Sequence, residues 1–156
     1  MLDIKRKVAG KRDLKMNDDQ IYEFTERFES LAVNHSMTLK NYKESLGLIG
    51  TDSLSFMADR MFAVMDQNHD GQIMLDEYLC YIDVMLYGTE EEKRKQSFGL
   101  LDKRGEGNIT FDDFKSIVQS FAQMWSAALG QPVPLNLKYF QNIFNQMACG
   151  KPSFNL

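Results

Sequence analysis

The chain has 156 residues, of which 44 % are apolar, and carries a net charge of −4. This length and apolar content allow one compact domain or two small lobes and argue against a largely disordered chain. No apolar run approaches the roughly 18 residues of a transmembrane helix, and the first residues lack a signal-peptide core. Two cysteines are too few for a disulfide framework, so we expect a soluble, cytoplasmic protein, or the cytoplasmic side of a membrane protein if the chain is part of a larger one.

The charge is distributed unevenly along the sequence. Residues 1–16 contain six basic and two acidic side chains, a net charge of +4, which leaves −8 for the remainder. The acidic body, without interleaved basic and aromatic residues, argues against nucleic-acid binding. The basic residues 5–15 allow three interpretations: contact with anionic membrane headgroups, docking within the molecule, or a solvated linker. We favour the solvated linker.

Apolar residues that recur every three or four positions, together with helix-capping signals, predict seven helices. In chain order, the predicted helices begin at or near Asn17, Thr38, Asp52, Leu75, Thr89, Thr110 and Tyr139. No segment of useful length alternates between apolar and polar residues. The sequence therefore predicts an all-α fold with at most very short strands.

A twelve-residue pattern recurs along the chain. The sequence FAVMDQNHDGQI at 62–73 aligns with FGLLDKRGEGNI at 98–109, with identical Phe, Asp, Gly and Ile residues at an offset of 36. A blurred copy, FESLAVNHSMTL, covers 28–39, and a fourth begins at Phe144. The repeat predicts the order helix, loop, helix four times over, with the last exit helix missing.

The repeats divide the sequence into three parts. A basic leader covers 1–16, a first pair of helix–loop–helix units covers 17–88, and a second pair covers 89–156. Pairing is expected because a single unit leaves its apolar face uncovered. The last unit stops at Leu156 before an exit helix forms, so we expect a segment of a longer polypeptide, with a short tail as the alternative.

The loop DQNHDGQIMLDE, residues 66–77, has the spacing of a calcium-binding loop. Calcium takes about six to eight oxygen ligands, and such a loop supplies them from side chains 1, 3, 5 and 12 and from the carbonyl of position 7. These positions are held in order by Asp66, Asn68, Asp70, Glu77 and Gln72. Gly71, at position 6, tolerates the positive φ of the sharp reversal. The loop therefore predicts one strong calcium site.

With this loop and its repeats, the chain resembles EF-hand proteins. The segment LYGTEEEKRKQSFGLLDKRGEGNITFDDF, residues 86–114, resembles the link between hands two and three of neuronal-calcium-sensor and calcineurin-B-like proteins. It also resembles the EF-hand regulatory regions of calcium-activated NADPH oxidases. In these families calcium opens the paired helices and exposes a groove for a target helix or for another segment of the same polypeptide.

The resemblance implies a calcium-sensing regulatory domain with a protein partner. A calcium buffer or structural scaffold, which keeps the ion without switching, is the alternative. No nucleophile–base pattern, phosphate-binding loop or catalytic motif is visible in the sequence, so we expect no enzyme activity. The chain can still be the regulatory part of a larger enzyme. We refer to the four repeats as hands one to four.

Hand three departs from the calcium pattern at two positions. It keeps Asp102, Glu106 and the carbonyl of Asn108, but Arg104 places a positive charge where an oxygen ligand belongs. Asp113 replaces the twelfth-position Glu, and this shorter arm suits the smaller magnesium ion better than calcium. The sequence predicts a weak calcium or magnesium site. The alternative is an ion-free loop that Arg104 closes through Glu106 or Asp113.

Hands one and four lack the ligand pattern. Hand one, aligned as residues 32–43, ends on Lys43 and is expected to be structural, with Leu39 pairing with Ile73 of hand two. Hand four has Ala148 where the first Asp of a calcium loop belongs. We therefore expect hand two to be the principal ion site.

Overall fold

The computed structural model describes residues 12–45, 52–102 and 104–155. The helices in these residues are α1 (Asp18–Leu31), α2 (Leu39–Ser45), α3 (Asp52–Met65), α4 (Leu75–Tyr87), α5 (Glu90–Leu101), α6 (Phe111–Leu129) and α7 (Leu137–Met147). The strands are β1 (Ser36–Thr38), β2 (Gln72–Met74), β3 (Ile109–Thr110) and β4 (Ser153–Phe154). This confirms the predicted all-α fold with very short strands. Among the described helices, none has the length and apolar character to cross a bilayer.

The helix starts follow the capping signals. Asn17 accepts a hydrogen bond from the Gln20 amide at 2.9 Å, and the Gln20 side chain accepts one from the Asn17 amide at 3.1 Å. Thr110 and Asp113 form the same reciprocal pair at the start of α6. These bonds satisfy N–H groups that have no partner within the helix. At the other end of α6, Gly130 adopts φ +66°, which suits a residue without Cβ.

Two short antiparallel ladders join the loops. Met37 lies opposite Ile73 between β1 and β2, and Ile109 lies opposite Phe154 between β3 and β4. Met37, Ile73 and Ile109 are almost wholly buried. Hand one pairs with hand two as predicted, but the prediction that Leu39 lies opposite Ile73 is wrong, because Leu39 begins α2 and Met37 occupies that position.

Hand one has a shorter loop than the alignment assumed. Val33 and Ser36 exchange backbone hydrogen bonds of 2.8 and 3.2 Å. The two residues between them, Asn34 and His35, adopt φ +53° and +62°. Two consecutive positive φ values are the mark of a tight hairpin turn. This turn replaces the ion loop. As a result, β1 begins two residues closer to the start of its loop than β2 does in hand two.

The described residues divide into two compact units. One contains 12–45 and 61–94, and the other contains 52–60, 95–102 and 104–155. In this division the first turns of α3 belong to the second unit, whereas residues 17–88 were all predicted to belong to the first pair. The predicted bounds of the two pairs stay a prediction.

In the first unit, α1 packs against α4. The buried residues of this core are Met16, Ile21, Leu79 and Cys80, with the partly buried Leu14, Phe24, Leu75, Tyr78 and Ile82 around them. Met16 belongs to the segment that precedes α1, so residues 12–16 are docked on this unit. For this part of the basic leader the structure shows docking within the molecule, not the favoured solvated linker. Residues 5–11 lie outside the described residues.

In the second unit, aromatic side chains surround Phe144 of α7. Its ring centroid lies 5.6 Å from that of Phe111, 5.9 Å from Phe114 and 5.6 Å from Phe154. Ring pairs at such distances stabilise a core beyond the burial of their area. Phe154 comes from β4, so the last described residues complete the core of hands three and four.

Candidate metal centre

The loop of hand two lies between α3 and α4, and its first residue is turned into the loop. The Asp66 carboxylate accepts hydrogen bonds from the backbone N–H groups of Asp70 at 3.2 Å and Gly71 at 2.9 Å. Asp66 is buried. Gly71 adopts φ +81°, which a residue with a Cβ would resist. The backbone reversal at Gly71 therefore brings the loop amides onto Asp66.

The last loop residue, Glu77, is also held by backbone N–H groups of the loop. It stands in the first turn of α4 and is fully buried. Its two carboxylate oxygens accept hydrogen bonds from the Asn68 amide at 3.3 Å and the Met74 amide at 3.0 Å. Four backbone N–H groups thus fix the carboxylates of Asp66 and Glu77, which begin and end the loop.

Asn68 and Asp70 complete the loop on its exposed side. The Asn68 side-chain N–H₂ donates to Asp70 Oδ2 at 2.9 Å, and the Asn68 oxygen accepts from the Asp70 amide at 2.9 Å. Asp70 Oδ1 accepts from the Gln72 amide at 2.8 Å. The Gln72 side chain instead points across the ladder, where its oxygen accepts a hydrogen bond from the Ser36 hydroxyl at 2.6 Å. Only the backbone carbonyl of Gln72 was predicted as a ligand.

The donor set of this loop fits a calcium ion. Its side chains offer carboxylate and amide oxygens, the ligands that hard divalent cations prefer. Among the described residues, no Lys, Arg or His forms an ion pair with Asp66, Asp70 or Glu77. Buried carboxylates without a cationic partner are costly, and a bound cation removes that cost.

The described residues contain no preformed cluster of three His, Cys, Asp or Glu side chains arranged for a metal. An EF-hand loop does not require one. Its predicted ligands include the amide oxygen of Asn68 and the carbonyl of Gln72, and neither belongs to those four residue types. The fit therefore rests on the chemistry of the whole loop.

Hand three repeats the first half of this arrangement. Asp102 is buried and accepts hydrogen bonds from the Glu106 amide at 3.2 Å and the Gly107 amide at 2.7 Å. These bonds match those of Asp66 at an offset of 36 residues. Asn108 is exposed, and its side chain donates to the Glu106 carbonyl at 3.4 Å. The backbone fold of an EF-hand loop is thus kept in hand three.

Hand three differs from hand two because an arginine side chain pairs with its carboxylates. The Arg104 guanidinium lies 3.3 Å from the Glu106 carboxylate and 3.5 Å from the Asp113 carboxylate. The same Asp113 oxygen accepts from the Thr110 amide at 2.9 Å and the Thr110 hydroxyl at 2.7 Å. The geometry matches the alternative of a loop closed by Arg104, and it closes through both carboxylates.

Arg60 was not among the predicted site residues, and it supports the start of the loop of hand three. Its guanidinium donates to the backbone carbonyls of Gly99 at 2.6 Å, Leu100 at 3.1 Å and Asp102 at 2.6 Å. These carbonyls lie at the C-terminal end of α5, where helix carbonyls lack partners. Burial lowers the Arg60 pKa, although Asp102 and Asp113 act in the opposite direction. A lone arginine among the apolar residues of α3 was the available signal.

Comparison with known proteins identifies relatives but no matching family model. The guanylyl cyclase inhibitory protein of Lithobates pipiens is 29 % identical over 107 residues, covering 67 % of this chain and 52 % of that protein. The calcium-binding protein NCSA of Dictyostelium discoideum is 30 % identical over 98 residues, covering 63 % of this chain and 52 % of that protein. The chain thus spans about half the length of these curated relatives.

A solved structure shows the same fold. A chain of the PP2A PR70 holoenzyme aligns with a TM-score of 0.61 over 99 % of this chain and 59 % of that chain, at 12 % identity. At that identity the likeness concerns the fold alone. The structure shows paired helix–loop–helix units and the sequence has the complete loop pattern at 66–77. Both agree with the similarity to the calcium-binding protein NCSA. In its loop pattern and its relatives, the chain is similar to EF-hand proteins.

Proposed function

We propose that the chain is a calcium-sensing regulatory domain whose principal ion site is the loop of hand two. Asp66, Asn68, Asp70 and Glu77 would bind the ion with their side chains, and Gln72 would bind it with its carbonyl. The observation that carries this proposal is the contrast between two similar loops. Hand two holds its carboxylates without a cationic side chain among the described residues, whereas Arg104 occupies hand three.

The exit helix of hand two offers an apolar surface that the ion can control. Glu77 stands in the first turn of α4, and the last turns of α4 expose Met85, Leu86 and Tyr87 to solvent. A helix moves largely as a rigid body, so a pull on Glu77 changes the presentation of its far end. Exposed methionine and leucine side chains adapt to varied apolar partners.

The partner we propose is a protein: a target helix or another segment of the same polypeptide. The chain spans about half the length of these curated relatives, so proteins of that kind contain further segments beyond the matching part. We propose a cytoplasmic location, consistent with Cys80 and Cys149 being free thiols. The chain has no proposed catalytic role of its own.

A calcium buffer or structural scaffold is the alternative, and the rigidity of the loop favours it. Four backbone hydrogen bonds already hold Asp66 and Glu77 in place. A loop fixed in this way needs little rearrangement when an ion arrives. Buffer EF-hands open much less on binding than sensor EF-hands do.

Calorimetry combined with a hydrophobic dye separates the two functions. We expect calcium to bind with a stoichiometry near one and to raise the fluorescence of the dye in parallel. Binding without any dye response would support the buffer, and absence of binding would contradict both functions. A magnesium titration then tests hand three. A second binding event would support the predicted weaker calcium or magnesium site at Asp102, Glu106, Asn108 and Asp113, and its absence would support the ion-free loop closed by Arg104.

A further inference from the structure

The segment before α1 is fastened to the exit helix of hand two. We define residues 12–16 as the strap. The backbone amides of Lys15 and Met16 donate to Asp83 Oδ1 at 2.7 and 2.9 Å, and Arg12 Nε donates to Asp83 Oδ2 at 2.7 Å. Asp83 belongs to α4 and is fully buried. One carboxylate therefore holds the strap at three points.

Further contacts extend this attachment. The Arg12 guanidinium also pairs with the Glu92 carboxylate at the start of α5. The Lys15 ammonium donates to the carbonyl of Tyr87, the last residue of α4, at 3.1 Å. Hydrogen bonds with a charged partner are among the stronger ones in proteins. The strap thus contacts the end of α4 and the start of the helix that follows.

Apolar packing supports the polar contacts. Met16 is buried, and together with Leu14 it joins the core formed by Leu79 and Cys80 of α4. Because the strap leads directly into α1 at Asp18, it ties the exit helix of hand two to the entry helix of hand one. The strap therefore contacts α4 near its far end, and Glu77 places the start of the same helix in the ion loop.

Asp83 and Glu77 lie on the same rigid helix. Six residues separate them, which corresponds to about 9 Å along an α-helix. In the structure the docked strap and the inward Glu77 occur together. An orientation of α4 that satisfies Asp83 is thus one that also places Glu77 in the loop.

We propose that Asp83, together with Arg12, is a positioning residue for the calcium site of hand two. A docked strap holds α4 in the orientation in which Glu77 reaches the ion, and so reduces the conformational cost of binding. Linkage is reciprocal, so the ion must stabilise strap docking by the same factor. This inference rests on the proposed function of hand two, since it concerns the affinity of that site.

The test is Asp83→Asn in the full chain, with calcium itself as the ligand. Asparagine keeps the size of the side chain but removes the charge that faces Arg12. We expect calcium affinity in calorimetry to fall by about 5- to 20-fold, in the ordinary range of coupling between sites. Hydrogen exchange at the Lys15 and Met16 amides should become faster in the ion-free variant, and calcium should slow it in the unmodified chain.

Three further variants make the result specific. Arg12→Gln removes the partly exposed partner of Asp83 and should weaken calcium binding in the same direction, which keeps the test valid if Asp83→Asn does not fold. Asp13→Asn changes an exposed strap residue and should leave affinity unchanged. Ile21→Val destabilises the same core without touching a strap hydrogen bond, so it should also leave affinity unchanged.

The outcomes separate the two proposals. Unchanged calcium affinity in Asp83→Asn, with amide exchange showing a released strap, would overturn the positioning role while leaving the calcium site intact. An equal loss of affinity in Ile21→Val would also overturn it, because general destabilisation would then explain the effect. Absence of calcium binding in the unmodified chain would overturn the proposed function itself.

Discussion

The Arg104 guanidinium lies 3.5 Å from the carboxylate of Asp113, the residue that corresponds to Glu77 in hand two. Glu77 has no such cationic partner among the described residues, and its carboxylate accepts two backbone N–H groups instead. Two loops with the same backbone pattern therefore neutralise their last carboxylate differently. In hand three the cation is part of the protein, and in hand two we propose that it is calcium.

Replacing Arg104 should convert hand three into a better ion site. Arg104→Ser removes the guanidinium from Glu106 and Asp113 and introduces a hydroxyl oxygen at the third loop position. We expect calorimetry to show a second binding event, stronger for magnesium relative to calcium than at hand two, because Asp113 is short. Arg94→Ser, at a basic residue outside the loop, is the control, and no second event in Arg104→Ser would contradict the arginine-closed loop.

Calcium binding by hand two should depend on the carboxylate of Glu77, the last residue of its loop. Glu77→Gln removes a charge and one strong oxygen ligand from a buried position, so tight calcium binding should be largely lost. Asp113→Asn makes the matched change in hand three and should leave the calcium affinity of hand two unchanged, because Asp113 pairs with Arg104. Calorimetry of both variants compares them directly. A loss of one bound calcium in Asp113→Asn would show that hand three is also a calcium site.

The ladder between hands one and two should contribute to stability through its central pair. Ile73→Ala removes a fully buried side chain opposite Met37, and such truncations cost about 2 to 5 kcal/mol of unfolding free energy. Met74→Ala changes the neighbouring, exposed strand residue and should cost less than about 0.5 kcal/mol. Urea denaturation measures both values. Equal costs would contradict the assigned register.

The pair between Arg12 and Glu92 should be visible in a pH titration. The Arg12 guanidinium, followed by the Thr89 amide, lowers the pKa of Glu92 to about 2 from 4.5. A lowered carboxylate pKa means that its stabilising contribution is complete above the unfolded-state pKa and is lost as the pH falls towards 2. Carbon NMR of the Glu92 carboxyl should show this value.

Arg12→Gln provides the comparison for that titration. Without the guanidinium, the Glu92 pKa should rise towards 4.5, and the remaining Thr89 hydrogen bond should keep it slightly below. An unchanged Glu92 titration in the variant would show that Arg12 does not face this carboxylate in solution.

Local sequence signals determined the helices and the principal loop. Two examples are the capping box of Asn17 and Gln20 and the positive φ of Gly71. Both act through neighbouring residues, so they can be predicted from the sequence alone. The same applies to the oxygen spacing at 66–77, because the loop folds on its own amides. The assignment of these residues as calcium ligands stays a prediction.

Tertiary structure decided the features that depend on distant residues. The register of hand one was missed because a tight turn at Asn34 and His35 shortens its loop, so that Met37 pairs with Ile73. Pairing between strands 36 residues apart is set by packing across the ladder, not by local propensity.

The long-range contacts of Arg12 and Arg60 also could not be predicted without the folded structure. Arg12 reaches Asp83 across 71 residues, and Arg60 reaches the carbonyl of Asp102 across 42 residues. In the sequence each is one charged residue among many, because a charge pattern does not reveal which partner the folded chain places beside it. The sequence by itself determined the helical framework and the composition of the ion loop, whereas long-range packing decided what holds the loop in place.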